Sequence, residues 1–303
     1  MLKQLKLGLE LDAKGISCTA CNSSQTVHIK ENQVAYKDRR FSIYECLHCK
    51  LWFSPKEDGS FVSNEDYMEV FSRVGRETAI QIRYDVIKDA NLSRFGSILE
   101  IGCALGDILH KIKLDHPDIC VTGLESSSKM AAYVRERGIS CVTDPAELGS
   151  SIDFVFANHV FEHFQNPADF FSILDAVGKG GYEVRLTFPN RNNYWVKKGY
   201  FPDLHLPQHR YYYTVDQICQ IFSQAGFEIL ETKTLEHQRL KMNLHQSLYN
   251  FFREDLDIFK ACFTHMEAGI EENFSKNQGR LEAKMESLGL GSEGLIHARK
   301  LKQ

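Results

Sequence analysis

"ILEIGCALGD", residues 98–107, decides the fold, because it leads from a buried apolar strand through a glycine turn into a helix. A turn that binds a dinucleotide carries the pattern G-x-G-x-x-G, which leaves room for a pyrophosphate. Here the three positions read Gly102, Ala104 and Asp107, and the aspartate would face the phosphate charge. The stretch therefore disfavours NAD and FAD and points to a different ligand.

Segments typical of strands alternate with segments typical of helices from residue 97 to residue 235. The strand segments are SILEIG, ICVTGLE, DFVFANHV, YEVRLTFPN and FEILETKTL, and the helical segments are DILHKIKLDH, KMAAYVRERG, PADFFSILDAVGKGG and TVDQICQIFSQAG. This alternation predicts an α/β fold with a doubly wound, mostly parallel sheet and crossover helices on both faces. Ligands of such sheets gather beyond the carboxyl ends of the strands, so the glycine turn is the expected binding site.

Four of the nine cysteines form two Cys-x-x-Cys pairs, Cys18 with Cys21 and Cys46 with Cys49, separated by 24 residues. Four thiolates at this spacing suit the tetrahedral coordination of zinc, and the segment between the pairs is typical of the strands of a zinc ribbon. We expect a structural Zn²⁺ without an open coordination position, with His48 as the alternative to one cysteine. The other cysteines are expected to be small buried residues (Cys103, Cys120, Cys141, Cys219 and Cys262).

The composition argues against several classes of protein. The 303 residues carry a net charge of −4, which disfavours a broad nucleic-acid-binding surface. No apolar run reaches the roughly 20 residues that a membrane-spanning helix needs, and the start of the sequence lacks the pattern of a signal peptide. We expect a cytoplasmic protein, in which reducing conditions disfavour disulfides.

The chain divides into four predicted regions: a zinc ribbon at 1–60, a helical cap or linker at 61–95, the α/β domain at 96–235 and a helical extension at 236–303. In the extension, apolar residues recur in steps of three or four between 244 and 274, which predicts a long amphipathic helix. Its apolar stripe is expected to pack on the α/β domain or on a second subunit, giving a homodimer. The glycine-containing tail that follows is expected to be mobile at its end.

The spacing of Glu100, Gly102, Ala104 and Gly106 resembles motif I of the class I S-adenosylmethionine (SAM)-dependent methyltransferases. The resemblance extends over about residues 96–235 and implies the Rossmann-like methyltransferase fold, with SAM bound at this turn. The two glycines would let the backbone pass close to the cofactor, whose ammonium and carboxylate suit a nearby acid and free backbone groups. Ala104 stands where a glycine is common, and its methyl group is tolerable if the residue keeps a negative φ.

Later segments match the same family in order. Glu125 ends the second strand nineteen residues after the last glycine of the turn, where an acid can accept both ribose hydroxyls. FANHVFEHFQNPADF resembles the segment after the fourth strand of these enzymes, and it implies that Asn158 and His159 lie beside the cofactor. GKGGYEVRLTFPN resembles the fifth-strand segment, with Lys179 in place of the usual proline. Asp144, after the third strand, contacts adenine or caps a turn.

The segment 190–214 follows the fifth strand and contains seven aromatic and four basic residues, as a lid over a substrate would. Its run QHRYYYT resembles a segment of zinc-ribbon methyltransferases, notably the deoxysugar C-methyltransferases, in which the histidine faces the methyl-transfer site. The resemblance implies His209 as the catalytic base, Tyr211 as its neighbour and His163 as the second choice. The alternative for each histidine is a purely structural role, and Tyr67 either covers the cofactor or packs within the cap.

The methyl acceptor is expected to be a small molecule, and the deoxysugar resemblance favours a sugar or glycan precursor. Four basic residues of the candidate lid either hold the phosphates of a nucleotide-linked sugar or form a solvated loop (Arg191, Lys197, Lys198 and Arg210). Two departures leave the acceptor open: Gln208 stands where that family often has a glutamate, and a helical pattern follows the core where that family has a further α/β domain. The alternatives are a zinc-ribbon RNA methyltransferase and a non-catalytic assembly protein that kept the fold.

Overall fold

The computed structural model of the protein describes residues 16–36, 39–55, 76–149, 152–178, 181–197, 209–236 and 283–302. Its strands are β1 (Thr26–Tyr36), β2 (Arg39–Cys46), β3 (Trp52–Phe53), β4 (Ser97–Ile101), β5 (Cys120–Leu124), β6 (Ser140–Val142), β7 (Phe154–Asn158), β8 (Glu183–Pro189), β9 (Tyr211–Tyr212), β10 (Phe227–Leu235) and β11 (Glu293–Lys300). Its helices are α1 (Arg76–Lys88), α2 (Asp107–Asp115), α3 (Ser128–Glu136), α4 (Pro167–Val177), α5 (Tyr194–Lys197) and α6 (Val215–Gln224), with a further helical turn at 283–287.

The predicted doubly wound, mostly parallel sheet is confirmed. Seven strands lie in the order β10-β11-β8-β7-β4-β5-β6. From β4 the chain runs outward through β5 and β6, and then returns to β7 on the other side of β4, with all of these neighbours and β8 parallel. The strand order therefore reverses between β4 and β7, and a crevice opens at their carboxyl ends.

Two apolar cores lie on opposite faces of this sheet, because successive side chains of a strand point to opposite sides. On one face Leu99 and Val155 pack with Phe170 of α4 and Phe222 of α6. On the other face the strands pack against α1, α2 and α3, where Phe154 stacks on the ring of Phe95. Because apolar side chains leave water on both faces, these strands read as continuous hydrophobic runs in the sequence.

The N-terminal sheet β1-β2-β3 is antiparallel and gains a fourth strand from the α/β domain. β9 pairs with β3, so that Trp52 lies opposite Tyr212 and Phe53 opposite Tyr211. The pairing continues where the Ser54 N–H donates to the carbonyl of Arg210 at 2.9 Å. The N-terminal strands are therefore joined to the α/β domain by backbone hydrogen bonds as well as by a shared apolar core.

The C-terminal segment differs from its prediction. The tail expected to be mobile contains β11, which lies between β8 and β10 and is antiparallel to both. Leu295 and Ile296 are fully buried there, so the prediction of a helical extension followed by a mobile end is wrong for this strand. Polar residues obscured the strand pattern: His297 and Arg299 donate to the buried carboxylate of Glu183 on β8.

Two further expectations concern helices. The predicted amphipathic helix at 244–274 lies outside the described residues, as does Tyr67 in the predicted cap. In the part of the chain that the structure describes, no helix has the length and hydropathy needed to cross a membrane.

We predict that Ile296→Ala lowers the free energy of unfolding by about 2–5 kcal/mol, because it leaves a cavity in the middle of the sheet. The matched control is Leu301→Ala just beyond β11, where the side chain is half exposed and the change should stay within about 0.5 kcal/mol. Urea unfolding measures both values. Equal effects of the two substitutions would contradict the burial of β11.

Candidate functional site

The turn between β4 and α2 passes through the left-handed region three times. Gly102, Ala104 and Gly106 have φ values of 69°, 49° and 68°. A Cβ at Gly102 would lie 2.6 Å from Cγ2 of Val160, so this position has room for glycine alone. The condition of a negative φ at Ala104 is not met, and the residue holds a conformation that L-amino acids disfavour.

Glu125 follows β5 and holds this turn. Its carboxylate accepts the N–H of Ala104 at 2.9 Å and the N–H of Ser127 at 2.8 Å. The side chain is buried at the edge of the crevice. Asp144, at the equivalent end of β6, is exposed and accepts the N–H of Ala146 at 2.9 Å, so the structure shows the turn-capping alternative.

Glu100 lies on β4 immediately before the turn and is buried. Burial raises the pKa of Glu100 well above its usual value, and the charge of Arg83 opposes this only in part. An uncharged acid there can donate a hydrogen bond, and an incoming cation would favour its ionised form.

At the carboxyl end of β7 the chain places Asn158 and His159 beside the same crevice. The amide oxygen of Asn158 accepts the hydroxyl of Thr187 at 3.1 Å. The imidazole of His159 lies between two acids, with Nδ1 3.4 Å from Glu162 and Nε2 3.3 Å from Glu293. Although burial lowers the pKa of His159, the charges of Glu293 and Glu162 raise it to about 10, which favours the imidazolium.

The structure brings His163 and His209 together around Glu162. Their Nε2 atoms lie 3.9 Å and 3.8 Å from the same carboxylate oxygen, and the two rings meet edge to face at 4.9 Å. Burial raises the pKa of Glu162, but the hydrogen bond from His159 and the nearby imidazoles lower it to about 2. Glu162 and His163 lie in the 3-10 turn Phe161–His163, and the following helix starts at Pro167.

Tyr211 takes a different position from the one expected of a neighbour to the catalytic base. Its hydroxyl donates to the carbonyl of Gln165 at 2.7 Å and lies 2.9 Å from the hydroxyl of Thr19 in the N-terminal sheet. The ring is buried in the core that the two sheets share. These contacts make Tyr211 part of the joint between the sheets.

Two of the basic residues of the candidate lid also serve this joint. Arg191 donates to the carbonyl of Lys50 at 2.8 Å and lies over the ring of Trp52 at 4.8 Å. Arg210 is buried, and its guanidinium lies 3.4 Å from the carbonyl of Pro55. Lys197 is exposed at the end of α5, and Lys198 lies outside the described residues.

The four cysteines of the N-terminal sheet converge. The Sγ atoms of Cys18 and Cys49 are 3.8 Å apart, those of Cys21 and Cys46 are 3.5 Å apart, and all four lie within 4.8 Å of one another. The N–H of Cys49 points at the sulfur of Cys46 at 3.5 Å, as in a knuckle. His48 is exposed and lies outside this cluster.

Sequence reasoning passed over two acids of the site. Glu162 stood in the quoted segment without a role, because a lone glutamate in a helix-like pattern gives no sign of burial. Glu293 begins β11, far along the chain from the other site residues, and was assigned to the tail. No local signal identifies Glu293, because the polar residues of EGLIHARK interrupt the pattern of a buried strand.

Comparisons with known proteins agree with this architecture. A family model described as a methyltransferase domain matches residues 76–232, just over half of the chain. No curated protein matches the sequence significantly.

Two solved structures are similar to the folded chain. One is a chain of the complex between the Haloferax volcanii Trm112 methyltransferase activator and the putative methyltransferase, with 14% identity and a TM-score of 0.51 over 79% of this chain and 99% of that one. The other is a SAM-dependent methyltransferase from Thermotoga maritima, a possible histamine N-methyltransferase, with 17% identity and a TM-score of 0.50 over 78% and 96% of the two chains. At such identities these likenesses concern the fold alone.

We predict that Ala104→Gly stabilises the protein by roughly 0.5–1 kcal/mol, because glycine adopts the left-handed conformation without the strain that alanine carries. The control, Ala132→Gly within α3, should destabilise by a similar amount, because a helix interior penalises glycine. Thermal unfolding of the two variants measures the sign of each change. A loss of stability in both would contradict the strain assigned to Ala104.

Proposed function

The chain belongs to the methyltransferase domain family and is a SAM-dependent methyltransferase. From this premise we propose that it methylates a small molecule, a sugar or glycan precursor, and that His209 is the base. The observation that carries the proposal is the meeting of His209, His163 and Glu162 at the carboxyl end of β7, across the crevice from the glycine turn.

The residues around the crevice fit SAM. Gly102 and Gly106 leave two positions of the turn without a side chain, and Glu125 would offer a carboxylate to the ribose hydroxyls at the next strand end. Asn158 and His159 would line the opposite side, and Glu100 lies behind the turn as the acid nearest a ligand ammonium. When bound, SAM supplies an electrophilic methyl group on a sulfonium.

The protein's part in the reaction is to align the acceptor and take its proton. The imidazole of His209 would take the proton that the acceptor loses when it is methylated. The carboxylate of Glu162, 3.8 Å from His209 Nε2, would stabilise the imidazolium that forms. The burial of His209 supports this role, because it keeps water away from the imidazole that would take the acceptor's proton.

The sugar assignment rests on the QHRYYYT resemblance and on the position of that run. Arg191 and Arg210 contact the N-terminal sheet, which leaves Lys197 as the described lysine of the lid that is available to a phosphate. We therefore favour a sugar whose recognition depends more on hydroxyl hydrogen bonds than on a phosphate clamp. A homodimer through 244–274 stays a prediction.

We further propose that Cys18, Cys21, Cys46 and Cys49 hold a structural Zn²⁺. Zinc–sulfur bonds of about 2.3 Å in a tetrahedron separate the sulfurs by about 3.8 Å, which is close to the distances between them here. Four thiolates leave no position for a substrate, so the ion would stabilise the N-terminal sheet and its pairing with β9.

We predict that Glu125→Ala weakens SAM binding roughly ten- to hundredfold, because the ribose hydroxyls lose charged hydrogen bonds. Isothermal calorimetry measures the Kd of SAM, and Glu136→Ala on the exposed end of α3 serves as the control. If Glu125→Ala bound SAM as tightly as the unaltered protein, the assignment of the cofactor site to this crevice would be wrong.

We predict that His209→Gln lowers kcat about a hundredfold while the Kd of SAM stays unchanged, because the acceptor's proton loses its base. The assay follows the labelled methyl group of SAM into a panel of free and nucleotide-linked sugars, with RNA as the competing substrate class. His110→Ala on α2 is the matched control. Labelling of RNA alone, or full activity in His209→Gln, would overturn the proposed substrate class or the base.

We predict that Cys21→Ser lowers the zinc content by one ion per chain and lowers the thermal stability, because the N-terminal sheet loses its metal. Cys120→Ser, at an exposed cysteine of β5, should leave both properties unchanged. Elemental analysis of tag-free protein gives the stoichiometry. Zinc retained in Cys21→Ser would place the ion elsewhere.

A further inference from the structure

The carboxylate of Glu162 is the least satisfied charge of the site. The residue is 1% exposed, and neither of its oxygens has a hydrogen-bond partner of normal geometry among the described residues. A buried carboxylate without such partners is strongly disfavoured, since it loses its hydration and gains little in return. His159 Nδ1, 3.4 Å from Glu162 Oε1, compensates part of this charge through a long contact, and a bound cation would compensate the rest.

The imidazole nitrogens around Glu162 are placed around a common centre. His163 Nε2 at 3.9 Å and His209 Nε2 at 3.8 Å approach the same oxygen, Oε1, and the three ligand atoms lie within 4.8 Å of one another. Hydrogen bonds between such groups are about 2.7–3.2 Å long, so these contacts are too long to be hydrogen bonds. They are too close and too convergent for groups that merely line a cavity.

A shared metal ion accounts for these distances. With metal–nitrogen bonds of about 2.0–2.1 Å and metal–oxygen bonds of about 2.0–2.2 Å, two ligands on one ion lie about 3–4 Å apart. One carboxylate and two imidazoles form a donor set that suits divalent iron, cobalt, nickel or zinc. Hard ions such as Mg²⁺ prefer oxygen ligands alone.

We propose that Glu162, His163 and His209 bind one divalent first-row transition-metal ion at the carboxyl end of β7, as a second metal site beside the four-cysteine cluster. Three protein ligands leave coordination positions open to water or to an oxygen of a small molecule. The site is defined by side-chain geometry, and because its ion would occupy the His209 imidazole that the proposed methyl transfer uses, His209 would serve as the base only in protein without this ion.

Neighbouring groups hold the ligands in place. The N–H of Arg210 donates to the carbonyl of Glu162 at 2.8 Å, which ties the segment carrying His209 to the 3-10 turn. His159 Nδ1 lies 3.4 Å from Glu162 Oε1, and its other nitrogen lies 3.3 Å from Glu293. Such outer contacts orient metal ligands and are a regular feature of metal sites.

The competing explanation is that protonated histidines alone neutralise Glu162. An ion pair with His159, whose Nδ1 lies 3.4 Å from Glu162 Oε1, meets this description, with Nε2 of His163 and of His209 left near 3.8 Å. A metal-bound imidazole nitrogen has no lone pair for a proton, so an ion at this site and the free His209 base exclude each other. Counting the metal ions bound per chain distinguishes the two states.

The test counts zinc bound per chain after equilibrium dialysis of tag-free protein against Zn²⁺, with elemental analysis of the retained metal. We expect the unaltered protein to bind one more ion than Glu162→Gln and His163→Ala. His163 is partly exposed and Glu162→Gln keeps the shape of the side chain, so both variants are chosen to fold. His110→Ala should bind as many ions as the unaltered protein.

Cys21→Ser separates this site from the four-cysteine cluster. In that variant the ion lost comes from the thiolates, and the Glu162→Gln substitution should remove a further one. Co²⁺ gives a second readout: the spectrum lost in His163→Ala should contain weak d–d bands without thiolate charge-transfer absorption. Equal zinc content in the unaltered protein, Glu162→Gln and His163→Ala would overturn the proposal, as would sulfur charge transfer in the lost spectrum.

Discussion

The hydrogen bond from the Ala104 N–H to the carboxylate of Glu125 is the contact on which the site depends. It joins the turn after β4 to the end of β5, and thereby holds three left-handed residues in place. Backbone in this conformation is unfavourable for alanine and is kept only where its surroundings determine it. The carboxylate of Glu125 fixes the conformation of this turn, because hydrogen bonds to carboxylates are stronger than those between neutral groups.

The contacts between the N-terminal sheet and the α/β domain connect the cysteine cluster with the histidine cluster. β9 is the fourth strand of the N-terminal sheet, and His209 lies two residues before it. The hydroxyl of Tyr211 bridges Thr19 and the carbonyl of Gln165, which connects the N-terminal segment to the chain three residues after Glu162. On the proposed function, the zinc would act at a distance by fixing the position of the base. The small sheet has little apolar core of its own and depends on this shared packing.

Much of the fold was predictable because local pattern and tertiary environment agree over β4 to β10. The apolar runs of β4, β7 and β8 are buried on both faces, and the helices between the strands are amphipathic. The prediction failed at β11, where the buried His297 and the exposed Arg299 both donate to the buried Glu183 and interrupt the apolar pattern. A buried polar network has no signature in a single sequence, since its members look like surface residues until their partners are known.

By itself, the sequence determined most of the order of strands and helices in the α/β domain, the glycine turn and the grouping of four cysteines, because each depends on residues near one another in the chain. Only the tertiary structure decided the left-handed φ of Ala104, the capping role of Asp144 and the place of Tyr211 in the joint. It also decided that Glu162, His163 and His209 converge. These features arise from groups that are distant in sequence and are brought together when the chain folds. No local pattern indicates which distant partner a polar side chain will meet.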